Sequence, residues 1–308
     1  MEKGIFQGVF PFELTLDECM SMAKEYGFAG IELCVEPSEE ITSIVEDLGS
    51  NNVDVANIAK SVGLDKARPG SVRLNSPDSD LIAIREKSER LGVRIHSVLS
   101  LLQFIFPITS ENAKVREVGI GVAEKLIHIA RLLGADTVLF IPGMVTPDVS
   151  YEEAYRRSQE VIRYLLPMAE QSGVILAIEN VWNKFLLSPL EMRDYIDEFE
   201  SEWIGVYFDV GNVLNYGYPN HWIKILGSRI KKVHLKDFLL EIGNIHGFTH
   251  LFQGDVDWPR VIRALREVGY DGFLTVEVPP YKSYSSETIR VCSLCLDLII
   301  QDCCLKTV

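Results

Sequence analysis

Short apolar runs alternate with amphipathic stretches from one end of the chain to the other. Eight runs have the length and the β-branched or aromatic character of strands: residues 5–9, 30–35, 93–99, 137–141, 174–179, 204–209, 230–235 and 273–278. Stretches with apolar residues at helical spacing follow them, over residues 15–27, 78–91, 111–133, 150–172, 188–199, 219–227, 257–268 and 284–301. The first of these opens on "TLDE", where Thr15 and Glu18 have the spacing of a capping box. Gly27, Gly92, Gly134, Gly173 and Gly269 close helical stretches, at the place where a left-handed residue ends a helix.

Alternating strands and helices predict a parallel sheet, because parallel neighbours need a crossover between them. The strand runs are apolar on both alternating faces, as expected of a sheet covered on both sides. Eight units predict an α/β protein, a single (β/α)8 barrel over residues 1–308, with no linker or domain boundary. A doubly wound open sheet is the alternative, but no G-x-G-x-x-G follows the first strand. Residues 37–77 are long for a βα connection and are expected to carry an extra short helix over the barrel mouth.

Composition narrows the classes. With 308 residues and a hydrophobic fraction of 47%, the chain has ample material for one large core. Its formal net charge of −14 repels phosphate backbones, so no nucleic-acid partner is expected. No run of about 18 apolar residues occurs, which argues against a membrane helix. The opening "MEKGIFQGVF" lacks the pattern of a signal peptide, so the expected location is cytoplasmic. Cys292 and Cys295 form a C-x-x-C, the spacing of zinc or redox sites. However, "IRVCSLCLDLIIQDC" has helical periodicity and no second Cys or His pair completes a zinc site. These cysteines are expected to pack as small hydrophobes.

In such a barrel the chemistry sits at the carboxyl ends of the strands. The fifth strand ends "ILAIEN" and places Glu179; the sixth ends "GVYFDVGN" and places Asp209. The seventh ends "KKVHLKD" and places His234; the eighth ends "FLTVEV" and places Glu277. Each has a structural alternative: Glu179 paired with a barrel lysine, Asp209 capping a helix, His234 as a core histidine, Glu277 facing a loop. Together, four polar groups at one level of an apolar barrel would cost several kcal/mol unless something neutralises them. A divalent ion does so, and three carboxylates with one imidazole suit Mn2+ first, then Mg2+, Co2+ or Zn2+.

The segments "LAIENVWNKFLLSP", "FDVGN", "KKVHLKD", "GDVDW" and "DGFLTVEV" carry a resemblance. From about residue 93 to residue 278 the chain resembles the xylose isomerase-like superfamily of sugar epimerases and isomerases. Within it the match is to the ketose 3-epimerases and the pentulose- and hexulose-phosphate epimerases. The resemblance implies that Glu179, Asp209, His234 and Glu277 hold one divalent metal, often manganese in that family. It further implies that Glu179 and Glu277 act as an acid/base pair, epimerising a ketose or ketose phosphate at C3 through an enediolate. Aldose–ketose isomerase and inosose dehydratase share this scaffold and form the second reading. A non-catalytic sugar-binding barrel and an apurinic endonuclease rank below them. The endonuclease needs more mouth histidines than a chain with six can supply.

Other positions are candidates for the substrate. Lys236 lies two residues beyond His234 and so points the same way, toward a substrate hydroxyl or phosphate, or toward Asp237 or another carboxylate. Trp182, followed by Phe185, is placed to wall the sugar. Glu32 is expected to hydrogen-bond a ligand or the substrate, or to make a structural barrel pair. His246 and His250 lie in a long loop, from which they would reach a phosphate or else simply be exposed. His96 falls within the third strand and reads as structural. Asn212 stands where many relatives have a histidine, a change shared by some sugar-phosphate members. Trp182, Phe185 and Leu186, then Phe238, Leu239 and Leu240, occupy segments where free-ketose epimerases carry a substrate-binding Glu and an Arg. A small sugar or sugar phosphate is the expected partner, and the resemblance allows a homodimer or homotetramer.

Overall fold

The computed structural model describes residues 1–51 and 68–301. Eight parallel strands form the barrel: β1 (Glu2–Phe6), β2 (Gly30–Cys34), β3 (Arg94–Leu99), β4 (Thr137–Phe140), β5 (Ile175–Glu179), β6 (Ile204–Asp209), β7 (Ile230–Leu235) and β10 (Phe273–Val276). They close in the order β1-β10-β7-β6-β5-β4-β3-β2. A two-stranded hairpin, β8 (Asp237–Phe238) with β9 (Phe248–Thr249), rises between β7 and β10. The helices among the described residues are α1 (Leu16–Glu25), α2 (Glu39–Asn51), α3 (Asp78–Leu91), α4 (Leu102–Ile105), α5 (Ala113–Leu133), α6 (Tyr151–Ser172), α7 (Pro189–Asp197), α8 (Val210–Leu214), α9 (Pro219–Leu226), α10 (Trp258–Glu267) and α11 (Glu287–Gln301). None is long and apolar enough to cross a membrane.

Helix ends follow their local chemistry. Thr15 and Glu18 form the capping box, with the Glu18 amide donating to Thr15 Oγ1 and the Thr15 amide donating to Glu18 Oε2 at 2.8 Å. Gly134 closes α5 at φ 74°, a conformation that strains any residue carrying a Cβ.

Two expected strands differ by more than one residue from those found. The first begins at Glu2 rather than residue 5 and ends at Phe6, and Gln7–Val9 form a single 3-10 turn. The apolar run continues because Val9 and Phe10 are buried below the turn, not because they pair in the sheet. The last strand ends at Val276, although the Glu277 amide still donates to the Leu235 carbonyl at 3.0 Å. Of residues 37–77, α2 supplies a helix; residues 52–67, and Cys303 and Cys304, lie outside the described residues. Cys292 and Cys295 are free thiols on the packed face of α11, where burial pushes the Cys292 thiol up to about 12.

Strand alternation sorts the side chains into two cores. Outward residues such as Ile31, Ile95, Val206, Phe208 and Val233 pack under the helices in the larger cluster. The barrel interior holds a smaller apolar cluster, Leu99, Leu139, Ile141, Ala177 and Tyr207. The rest of the interior is polar and fully buried: Glu32, His96, Ser97, His234 and Thr275. At the amino-terminal end His96 stacks on Phe273, with ring centres 4.2 Å apart. A Cβ on Gly30 would lie 2.6 Å from the Phe273 ring, so only glycine fits there.

Candidate metal centre

Inward residues at the carboxyl ends of adjacent strands converge on one point. β5 ends on Glu179, β6 on Asp209, His234 is the penultimate residue of β7, and Glu277 directly follows β10. Register places Asp209 beside His234. One donor atom from each of the four residues lies within 4.8 Å of every other. His234 Nδ1 is 3.4 Å from Glu179 Oε1, 3.5 Å from Glu277 Oε2 and 3.8 Å from Asp209 Oδ2.

Asp209 is both a helix cap and a member of this cluster. Its Oδ1 accepts the Asn212 amide at 2.7 Å and caps α8. Its Oδ2 is buried and accepts no aligned hydrogen bond, with the Lys236 ammonium 2.9 Å away. Asn180 clamps the same residue from β5: Oδ1 accepts the Asp209 amide at 2.8 Å, and Nδ2 donates to the Asp209 carbonyl at 2.8 Å. The Asn212 side chain donates to the Asn180 carbonyl at 3.0 Å and completes the lock.

His234 is fixed from below by Glu32. The ring Nε2 lies 2.6 Å from Glu32 Oε2, and Glu32 Oε1 accepts the Ser97 hydroxyl at 2.7 Å. The Tyr207 ring packs on the imidazole at 4.4 Å. With Nε2 donating to Glu32, Nδ1 is the nitrogen turned to the three carboxylates, the arrangement by which a carboxylate orients a metal-binding histidine.

Burial and neighbouring charges pull these groups apart electrostatically. Burial pushes Glu179 up to about 7, with the His234 contact opposing and Glu277 adding to the rise. Burial likewise raises Asp209, against the pull of Lys236. Glu277 would also rise on burial, but the Lys236 and His234 cations overcome this and hold it below the usual range. His234 is held well above its ordinary value: burial opposes its charge, and Glu32 and Glu277 more than compensate. Lys236 stays charged for the same reason, between Glu277 Oε2 at 2.5 Å and Asp209 Oδ2 at 2.9 Å.

The donor set fits a divalent ion. Ligands at roughly 2.0–2.2 Å from one ion sit up to about 4.4 Å apart, so the cluster closes on an ion with shifts of a few tenths of an ångström. Three carboxylates and an imidazole are ligands for Mn2+, Mg2+, Co2+ or Zn2+. A bound ion would take the place of the Nδ1 proton and offset the surplus negative charge.

A pocket of about 230 Å³ opens beside the cluster. One wall is apolar, with Leu99, Leu101, Phe104, Leu139 and Ile141; Asn212, Lys236 and Trp182 line the other side. Trp182 donates its indole N–H to the Asn212 carbonyl at 2.8 Å and packs its ring against both Phe238 and Phe248. His246 is not brought to the pocket: its side chain is exposed on the hairpin loop, where Ile245 is the lining residue. His250 packs against Tyr281, with ring centres 4.4 Å apart. Lys236 pairs with the cluster, not with Asp237.

Asn180 and Asp237 are the positioning residues that sequence reasoning missed. Asp237 is fully buried and accepts from four donors. Oδ1 takes the Phe238 and Val256 amides at 2.9 and 3.1 Å; Oδ2 takes the Phe252 amide and the Trp258 indole at 3.0 and 3.1 Å. The "GDVDW" segment is thus folded around the aspartate of "HLKD". A Cβ on Gly254 would lie 2.4 Å from Asp237 Oδ1, which excludes any other residue there.

A family model described as xylose isomerase-like TIM barrel matches residues 20–294. L-ribulose-5-phosphate 3-epimerase UlaE of Escherichia coli (strain K12) is 24% identical over 287 residues, covering 90% of this chain and 88% of the relative. Among solved structures, an L-ribulose 3-epimerase superposes with a TM-score of 0.74 at 15% identity, covering 98% of this chain and 95% of the other. The IOLI protein, solved with a zinc atom bound, superposes with a TM-score of 0.75 at 15% identity, covering 98% of this chain and 99% of the other.

Proposed function

The chain belongs to the xylose isomerase-like TIM-barrel family, and from that premise we propose that it is a divalent-metal-dependent isomerase that inverts C3 of a ketose or ketose phosphate. The observation that carries the reading is the pair of glutamates. Glu179 and Glu277 enter one site from β5 and β10, flanking Asp209 and His234, with all four donor atoms within 4.8 Å of one another. The relative named L-ribulose-5-phosphate 3-epimerase supports a ketose phosphate as substrate class. The zinc atom bound in the IOLI structure supports a metal ion in a barrel of this fold. The oxygen-rich donor set favours Mn2+.

Glu179, Asp209, His234 and Glu277 would hold a divalent ion, which would supply a Lewis acid able to acidify the C–H beside the ketose carbonyl. The protein supplies the proton transfers. One glutamate of the pair, Glu277 or Glu179, takes the C3 proton from one face of the sugar. The electron pair of the C–H bond passes into the enediolate. The other glutamate, in its protonated form, delivers a proton to the opposite face. In the reverse reaction the two exchange roles. Glu32 keeps the His234 ring oriented throughout. Trp182 and the apolar wall pack the sugar's carbon face. Asn212 and Lys236 edge the pocket where hydroxyl or phosphate oxygens lie.

The test is product analysis on a panel of ketoses and ketose phosphates with Mn2+ present. A ketose inverted at C3 is the expected product. An aldose, or a product that has lost water, would replace this reading with the isomerase or dehydratase.

A further inference from the structure

We propose that Lys236 competes with the metal ion for the centre. Its ammonium and a divalent cation claim the same carboxylate oxygens, so binding the ion expels Lys236 into the substrate pocket. The inference rests on the metal-centre reading above.

Asp209 makes the competition unavoidable. Its Oδ1 is committed to the Asn212 amide at 2.7 Å, and its backbone is clamped on both sides by Asn180. Only Oδ2 is left to bind an ion, and the Lys236 ammonium is 2.9 Å from it. Glu277 repeats the conflict, with Oε2 facing both His234 Nδ1 at 3.5 Å and Lys236 Nζ at 2.5 Å. An ammonium and a divalent ion cannot occupy this space together, because their mutual repulsion in a buried site is large.

The structure also says where the ammonium goes. The residue next along, Asp237, is saturated by four donors and cannot receive it. Gly211 leaves the Lys236 stem room: a Cβ there would lie 2.6 Å from Lys236 Cγ. The Phe248 ring centre already lies 5.1 Å from Nζ and lines the pocket, so the ammonium can keep this cation–π contact as it turns to the substrate side. Lys236 is therefore a positioning residue whose charge is released toward the substrate only when the centre is loaded.

The experiment is calorimetric titration of metal-free protein with Mn2+ for the wild type, K236M and K236Q at one pH and ionic strength. Circular dichroism confirms the fold, and K236Q decides the outcome where K236M fails to fold. The expected result is Mn2+ binding at least tenfold tighter in the variants, with a larger Mn2+-induced rise in melting temperature. Equal or weaker Mn2+ binding in a folded variant would overturn the competition while leaving the metal centre in place. No Mn2+ binding by wild type or variants would overturn the centre and this inference with it.

Discussion

Glu277→Gln is expected to leave the barrel folded and to lower C3 epimerisation by roughly 10²–10⁴, the range set by loss of one positioned acid or base. The side chain is a quarter exposed, at the mouth, and its backbone continues the β10–β7 ladder through the Leu235 carbonyl. Glutamine keeps this shape and an oxygen for Lys236, so packing changes little. It removes the group that takes or gives the proton. Saturating Mn2+ separates the chemical step from weakened metal binding, and the readout is kcat together with the rate of C3–H exchange. Full exchange by the variant would dismiss Glu277 from the proton transfer. Glu179→Gln is expected to fail in the same way on the opposite face.

Asp237→Ala is expected to destabilise the protein by about 3–5 kcal/mol, because several buried donors lose a charged acceptor at once. Four donors lose their acceptor together: the amides of Phe238, Phe252 and Val256, and the Trp258 indole. Each buried donor left unpaired costs about 1–3 kcal/mol, part of which solvent entering the opened loop recovers. Asp237→Asn keeps one acceptor oxygen and should fall between the wild type and alanine. Urea unfolding measures the series. A loss below about 1 kcal/mol for alanine, the size of an ordinary surface change, would mean that the loop is held by other contacts. The hairpin carries Phe238, Ile245 and Phe248, so the same substitution should loosen the pocket wall.

Much of this architecture is legible in the sequence because its causes are local or periodic. Continuous apolar runs mark strands with both faces covered, and helical spacing marks the crossovers. The convergence of four polar groups could be read because Glu179, Asp209 and His234 stand at or next to strand ends, and Glu277 one residue beyond, where alternation turns them inward. The remainder depends on contacts that no local pattern records. The β1 boundary was misplaced because burial under a 3-10 turn looks the same as burial in a sheet. Asp237 meets its distant partners 15, 19 and 21 residues further along, so its role as a loop anchor has no periodic signature. Asn180 was passed over beside Glu179, although a buried amide at a strand end has to find partners. Lys236 pairs with Asp209 and Glu277, on neighbouring strands, and not with the adjacent Asp237, a choice that depends on how the strands meet in space. Exposure of His246 depends on how the hairpin folds, and Ile245 faces the pocket instead.

The central claim is that this barrel moves the proton on C3. The most direct measurement is NMR of L-ribulose 5-phosphate and related ketose phosphates incubated with the wild-type protein and Mn2+ in D2O. Deuterium at C3 in both epimers, with the ketone at C2 retained, is the expected result. Turnover that leaves C3 protiated, or that places deuterium only at C1, would contradict it.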